Sequence, residues 1–211
     1  GTNNVYPSAL DGTSAGAAAG LVALGAVCFD DVARRTKRVS VRATDGYGHP
    51  FDDLALVDLA LVDTAFTGTR AVQDHHSIRW VVAAVATPAS TGLSSIAGRL
   101  HPCGRWEPGG VVLRLGPGGR SVRVPLSPGS FTTVAVAEVR PVADGETVLL
   151  RGPGVLAFDG ERDRRIDDVV VEAVVDRTGP FLIDVERTLV LAAADHRFDV
   201  THSSPEDANA H

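Results

Sequence analysis

The stretch Thr87-Pro88-Ala89-Ser90-Thr91-Gly92-Leu93-Ser94 places four hydroxyl side chains within eight residues, directly after the apolar run "WVVAAVA". A buried strand that ends on Thr-Pro and gives way to small residues opening a helix presents backbone N–H groups and hydroxyls together. Such a turn suits a phosphate or a ribose, and its small side chains let a flat base or sugar approach the backbone. The same residue types also serve ordinary helix capping, so the stretch alone leaves both readings open. Asp58 is the second candidate, because it interrupts the apolar "LALVDLALVDTAF". A buried carboxylate without partners costs roughly several kcal/mol or has a strongly raised pKa. In a purely structural domain Asp58 would pair with an arginine or with backbone N–H groups. In a binding domain it would stand at the rim of a pocket within reach of Thr87–Ser94. The second arrangement is expected, with Asp58, Thr87, Ser90 and Asn4 converging on one open cleft.

Other motifs carry less. Asp74-His75-His76-Ser77 tempts a metal reading, but His49 and His101 lie in separate turns with nothing tying them to it, so a polar turn between strands is expected. Asp11, in Asp-Gly-Thr-Ser, reads as a helix cap. Asp159-Gly160-Glu161-Arg162 carries the commonest hairpin signal, Asp-Gly. No G-x-S-x-G anchors a Ser/His/Asp mechanism. Cys28 and Cys103 lack metal or redox spacing and read as reduced thiols, as in the cytoplasm.

The elements that must position these residues follow from periodicity. Thr13–Val27, rich in Ala and Gly, reads as a helix. From "RVSVRA" onward, strand-like segments alternate with the turn signals "GPGG", "SPGS", "ADGE" and "DGERDR", a pattern of sandwiches and barrels. "STGLSSIAGRL" reads as a short helix, and "PFLIDVERTLVLAAADHRF" as a strand followed by a helix. The 211 residues carry a net charge of −6, and no arginine cluster is interleaved with aromatics, which argues against a nucleic-acid partner. No apolar run reaches the ~18 residues of a membrane span.

In this order, "GTNNVYP", "AGAAAGLVALG", "LALVDLALVD", "TGLSSIAG", "PLSPG" and "LAFDGER" resemble the acetoin-catabolism protein X group, a branch of the ATP-NAD kinase superfamily. The resemblance implies a mainly β chain, a two-layer β-sandwich of the NAD kinase C-terminal domain type. An N-terminal helix would pack beside it, and a strand-helix unit would close it. Residues 1–12 would end an upstream α/β domain, 13–198 would form the substrate-binding domain, and 199–211 a mobile tail. Asn3 and Asn4 match a loop lining the dinucleotide site. Asp58 falls where NAD kinases carry the acidic member of an Asn-Glu pair, with Val57 in place of the Asn. Thr87, Pro88, Ser90, Thr91, Gly92 and Ser94 match a Thr-Pro-Thr-Gly-Ser-Thr-Ala-Tyr stretch, one residue shorter and with Leu93 in place of Tyr. Asp159 and Gly160 match an Asp-Gly seen in both branches.

By resemblance, the whole protein would phosphorylate the adenosine ribose 2′-hydroxyl of NAD from ATP or polyphosphate, with Mg as the metal. The catalytic aspartate would belong to an upstream Gly-Gly-Asp-Gly-Thr loop, so this chain would hold neither a catalytic residue nor a metal ligand. It would bind NAD or a related nucleotide, form a homo-oligomer and engage neither nucleic acid nor membrane. A non-catalytic nucleotide-binding protein and a purely structural β-domain are the competing readings.

Overall fold

A computed structural model of the chain describes residues 11–63 and 75–199. Asn3, Asn4, Asp74, the His75 side chain and the 200–211 tail lie outside the described residues. The chain divides into two compact units, one of residues 35–181 and one in which residues 11–34 meet 182–199.

The larger unit is built on two antiparallel sheets. Strands β2 (Arg38–Thr44), β3 (Pro50–Ala55), β8 (Thr147–Arg151) and β11 (Val170–Asp176) form a four-stranded sheet in the order β3-β2-β11-β8. Strands β4 (Asp58–Val62), β5 (Ile78–Ala83), β6 (Gly110–Ser127), β7 (Ser130–Val142), β9 (Gly154–Phe158) and β10 (Arg162–Ile166) form a six-stranded sheet in the order β10-β9-β4-β5-β6-β7. Val39, Val41, Leu150, Ala173 and Val175 of the first sheet meet Leu59, Leu61, Val82, Leu156 and Phe158 of the second in one buried core. The expected pair of facing sheets is therefore present. A third layer adds to it: helix α3 (Leu93–Leu100) covers the far face of the six-stranded sheet, where Ile96 and Ala97 pack with Ala60, Val62, Val81 and Leu113.

This layering explains why "DLALV" reads as continuous apolar sequence. All five residues of β4 are buried, because alternate side chains enter the two cores on its opposite faces. Leu59 and Leu61 face the other sheet, and Asp58, Ala60 and Val62 share the side of α3.

Two expectations about turns are corrected. "GPGG" does not separate two strands: Leu115 and Arg120 both stand opposite Val136, so residues 116–119 bulge out of one long β6. The helix expected over Thr13–Val27 is α1 (Gly12–Ala23), and it stops where Gly25 adopts φ 70°. Gly25 N donates to Val22 O and Ala26 N to Leu21 O, which closes the helix end in a Schellman motif. Its start is as read, with Asp11 accepting from Ser14 N at 2.7 Å.

The smaller unit holds α1, α2 (Phe29–Val32) and α4 (Val185–Ala194), around Val27, Val32 and Ala192. Asp184 caps α4 by accepting from Arg187 N at 3.0 Å. Short strands β1 (Ala33–Arg35) and β12 (Phe181–Ile183) pair with each other, and β12 followed by α4 is the expected strand-helix unit.

Helix α3 approaches the Thr87-Pro88 turn at Gly98, where an added Cβ would overlap the Thr87 carbonyl carbon and Pro88 N. Backbone cannot yield as a flexible side chain can. Gly98→Ala is expected to destabilise the chain by roughly 1–3 kcal/mol despite alanine's better helix propensity. Urea unfolding of both proteins checks this, and an unchanged midpoint would show that the approach is not tight.

Candidate functional site

The chain leaves the four-stranded sheet at Ala55 and enters the six-stranded sheet at Asp58. Leu56 and Val57 belong to neither ladder, so their amides need acceptors elsewhere. Asp159 supplies them. Its Oδ1 accepts from Leu56 N at 2.9 Å, Val57 N at 2.7 Å and Asp58 N at 3.3 Å, and its Oδ2 lies 2.9 Å from Leu56 N. Asp159 N in turn donates to Asp58 O at 2.9 Å. Asp159 and Gly160 take φ 55° and 69° between β9 and β10, the positive-φ pair of an Asp-Gly hairpin turn. The hairpin reading of Asp-Gly describes its backbone, and the carboxylate adds a clamp on the sheet crossing.

Asp58 follows directly. Period-2 alternation aims it at α3, whose N-cap is Gly92 and offers no side-chain acceptor. The Ser94 amide, in the first turn of α3, lies against the Asp58 carboxylate. A strand residue thus does for α3 what a capping side chain does from within the sequence. Asp58 is 5% exposed and meets the Ser94 backbone amide, so it takes the arrangement named above for a structural domain and not the open rim expected of it, although it does meet the Thr87–Ser94 turn.

That turn is held by its own hydroxyls. Ser90 Oγ donates to Thr87 O at 2.7 Å, Ser94 Oγ donates to Val85 O at 2.7 Å, and the two hydroxyls lie 3.3 Å apart. Gly92, at φ 82°, donates its N–H to Pro125 O at 2.9 Å. Thr87 is exposed, Ser90, Thr91 and Gly92 are half-buried, and Ser94 is buried. The stretch thus combines the capping role and the ligand-facing surface left open by its sequence.

Burial pushes the Asp58 carboxyl up to about 7, the Asp159 charge adds to the rise, and the Ser94 amide opposes it. Near neutral pH this buried carboxyl is poised between its two forms. Arg105 is the positive member of the group: burial lowers its pKa while the Asp159 charge raises it. Sequence reasoning missed Arg105. It sits in "HPCGRWEPGG", which reads as a polar loop, and its relation to Asp159 arises only when the chain folds. A hydroxyl-lined turn with a buried carboxyl beneath it, and a guanidinium near Asp159, can together receive a polyol or phosphate group.

Other places are less suited. A groove over the outer face of the four-stranded sheet is lined by Arg38, Arg42, Asp52 and Glu172. Its arginines are already paired, Arg42 with Asp52 of the groove at 3.1 Å and Arg38 with Asp176 beyond it at 3.2 Å. Among the described residues, no group of three or more His, Cys, Asp or Glu could hold a metal ion, and no helix is long and apolar enough to cross a membrane.

The sequence profile of the acetoin catabolism protein X C-terminal domain matches residues 37–177. The chain is also 37% identical over 167 residues to the acetoin catabolism protein X of Cupriavidus necator, covering 77% of this chain and 46% of that protein. The chain therefore spans about half the length of the curated relative it matches. It belongs to the acetoin catabolism protein X C-terminal domain family.

The raised Asp58 pKa sets a pH dependence. The folded state holds this proton up to about pH 7, whereas an unfolded carboxyl releases it near 3.8. Between those values the native state binds more protons, so the Asp58 contribution to stability falls as pH rises and levels off above 7. Asp58→Asn removes the titration. Its stability relative to the parent should climb by up to roughly 4 kcal/mol between pH 4 and pH 8. Denaturant unfolding across that range checks this, and a difference independent of pH would contradict it.

Proposed function

We propose that this chain is the dinucleotide-binding half of an NAD kinase-like protein. With its upstream half present, such a protein phosphorylates the adenosine ribose 2′-hydroxyl of NAD from ATP or polyphosphate. The observation that carries this reading is the gathering of Asp58, Ser94, Arg105 and Asp159, from separate stretches of the chain, beside the Thr87–Ser94 turn. In this proposal the turn receives ribose and base, Asp58 positions that turn from beneath through the Ser94 amide, and Arg105 faces the dinucleotide's phosphates. Asp159 acts as a positioning residue, since its oxygens are engaged by the amides at 56–58. In this proposal the Mg ion and the catalytic base belong to the upstream half, and this chain's part is to bind and orient the acceptor. The same reading carries with it a cytoplasmic homo-oligomer.

A second reading, a non-catalytic nucleotide-binding or regulatory protein, draws support from two positions. Val57 is 2% exposed, and Leu93 is 8% exposed within the core between α3 and the six-stranded sheet. Neither can offer the amide contact or aromatic stacking surface that the kinase pattern places there.

Calorimetric titration of NAD into the complete protein, upstream half included, tests binding. Micromolar to millimolar affinity is expected, weakened about tenfold or more by Asp58→Asn, equivalent to about 1.4 kcal/mol. Absence of binding by the complete protein would sink both readings. The 211-residue chain alone should form no NADP from NAD and ATP. Turnover by the complete protein selects the kinase, and binding without turnover selects the second reading.

A further inference from the structure

Lys37 is the chain's only lysine, and it is 1% exposed. A lone lysine placed in a protein interior is unusual, since lysines are almost never fully buried unless paired. Its Nζ donates to Gly109 O at 2.8 Å and to Cys103 Sγ at 3.2 Å. Cys103 is 6% exposed, and its sulfur also lies 3.5 Å from Gly109 O. Among the described residues no carboxylate forms an ion pair with Lys37; Glu107 and Asp144 act on it only from a distance. Burial therefore dominates and lowers the pKa of the amine. In its deprotonated form the amine carries a lone pair, and the Cys103 sulfur lies 3.2 Å from it.

We propose that Cys103 and Lys37 form a redox-controlled covalent cross-link, a direct S–N bond made when the lysine amine captures the sulfenic acid of Cys103. Hydrogen peroxide is the oxidant. In the first step the sulfur attacks one peroxide oxygen, an S–O bond forms, the O–O bond breaks, and the departing hydroxide takes the thiol proton as water. Sulfur is oxidised by two electrons and peroxide is reduced by two. In the second step the Lys37 nitrogen attacks sulfur, the S–N bond forms, the S–O bond breaks, and hydroxide leaves as water with an amine proton. The sum is one thiol, one amine and one peroxide giving one sulfenamide and two waters. Cys103 is almost wholly buried, and the Lys37 nitrogen, 3.2 Å from its sulfur, is in place to trap the sulfenic acid. Cys28 is exposed, and the chain's one lysine is engaged with Cys103.

The cross-link would sit under the candidate site. Cys103 exchanges two backbone hydrogen bonds of 2.9 Å with Ala86, the residue before Thr87, and Arg105 follows two residues later. The inference is independent of the proposed nucleotide, because it rests on the lysine-cysteine pair alone.

The test uses the Cys28→Ser chain, in which Cys103 is the remaining thiol, treated with hydrogen peroxide, blocked, denatured and digested with a lysine-specific protease. The untreated chain is cut after Lys37. The treated chain is expected to resist that cut, to weigh less by two hydrogens, and to regain cleavage with dithiothreitol. Cys103→Ser, treated alike, should remain cleavable. Unchanged cleavage, with Cys103 recovered as thiol, sulfinic or sulfonic acid, would overturn the proposal. So would a cross-link that retains an oxygen atom, or equal resistance in Cys103→Ser.

Discussion

The Asp159 carboxylate, accepting three consecutive amides at residues 56–58, is the contact on which the site depends. A chain that passes from one sheet of a sandwich to the other must leave both ladders for at least a residue or two. Those amides face a choice between an acceptor and a desolvation cost of about 1–3 kcal/mol each. One carboxylate on the β9–β10 hairpin resolves all three, and the hairpin's own amide returns a bond to Asp58 O. Crossing and hairpin therefore fix each other. The first residue after the crossing is Asp58, so the same contact sets where the second carboxylate points.

The electrostatics follow from this arrangement. Asp159 is held close to Asp58 by the crossing, and Asp58 is pressed against the α3 amide end by strand parity. Two carboxylates so placed cannot both ionise freely, and Arg105 is a guanidinium near Asp159. The Asp58 pair with Ser94 N also ties the six-stranded sheet to the helix that covers it. Fold and candidate site thus share atoms. A substitution there acts on both, and Asp58→Asn, which keeps an acceptor for the amide, separates them better than truncation to alanine.

Much of this was legible in sequence because its signals are local. The Asp11 cap, the strand-helix closure and the Asp-Gly hairpin each depend on neighbours along the chain. The polar interruption at Asp58 marked a special position within a buried strand, as β4 confirms by being buried on both faces. The residues of the crossing were not legible, since Leu56 and Val57 look like strand interior and their acceptor lies far along the chain. "GPGG" misled because glycines that bulge a strand and glycines that reverse it have the same composition. Arg105 and Lys37 were hidden for another reason: charged residues in polar surroundings of sequence read as solvent-facing, and only the fold places Lys37 in the interior.

Asp159→Gly tests the central claim most directly, because glycine accepts φ 55° without strain and only the carboxylate is lost. Amide hydrogen exchange should be followed at Leu56, Val57 and Asp58 in both proteins, together with the Asp58 titration by carboxyl NMR. The account predicts that protection falls at those three amides while β5 and β6 keep theirs, and that the Asp58 pKa drops below about 7 once the neighbouring charge is gone. Protection at 56–58 equal to that of the parent, with Asp58 titrating as before, would contradict it.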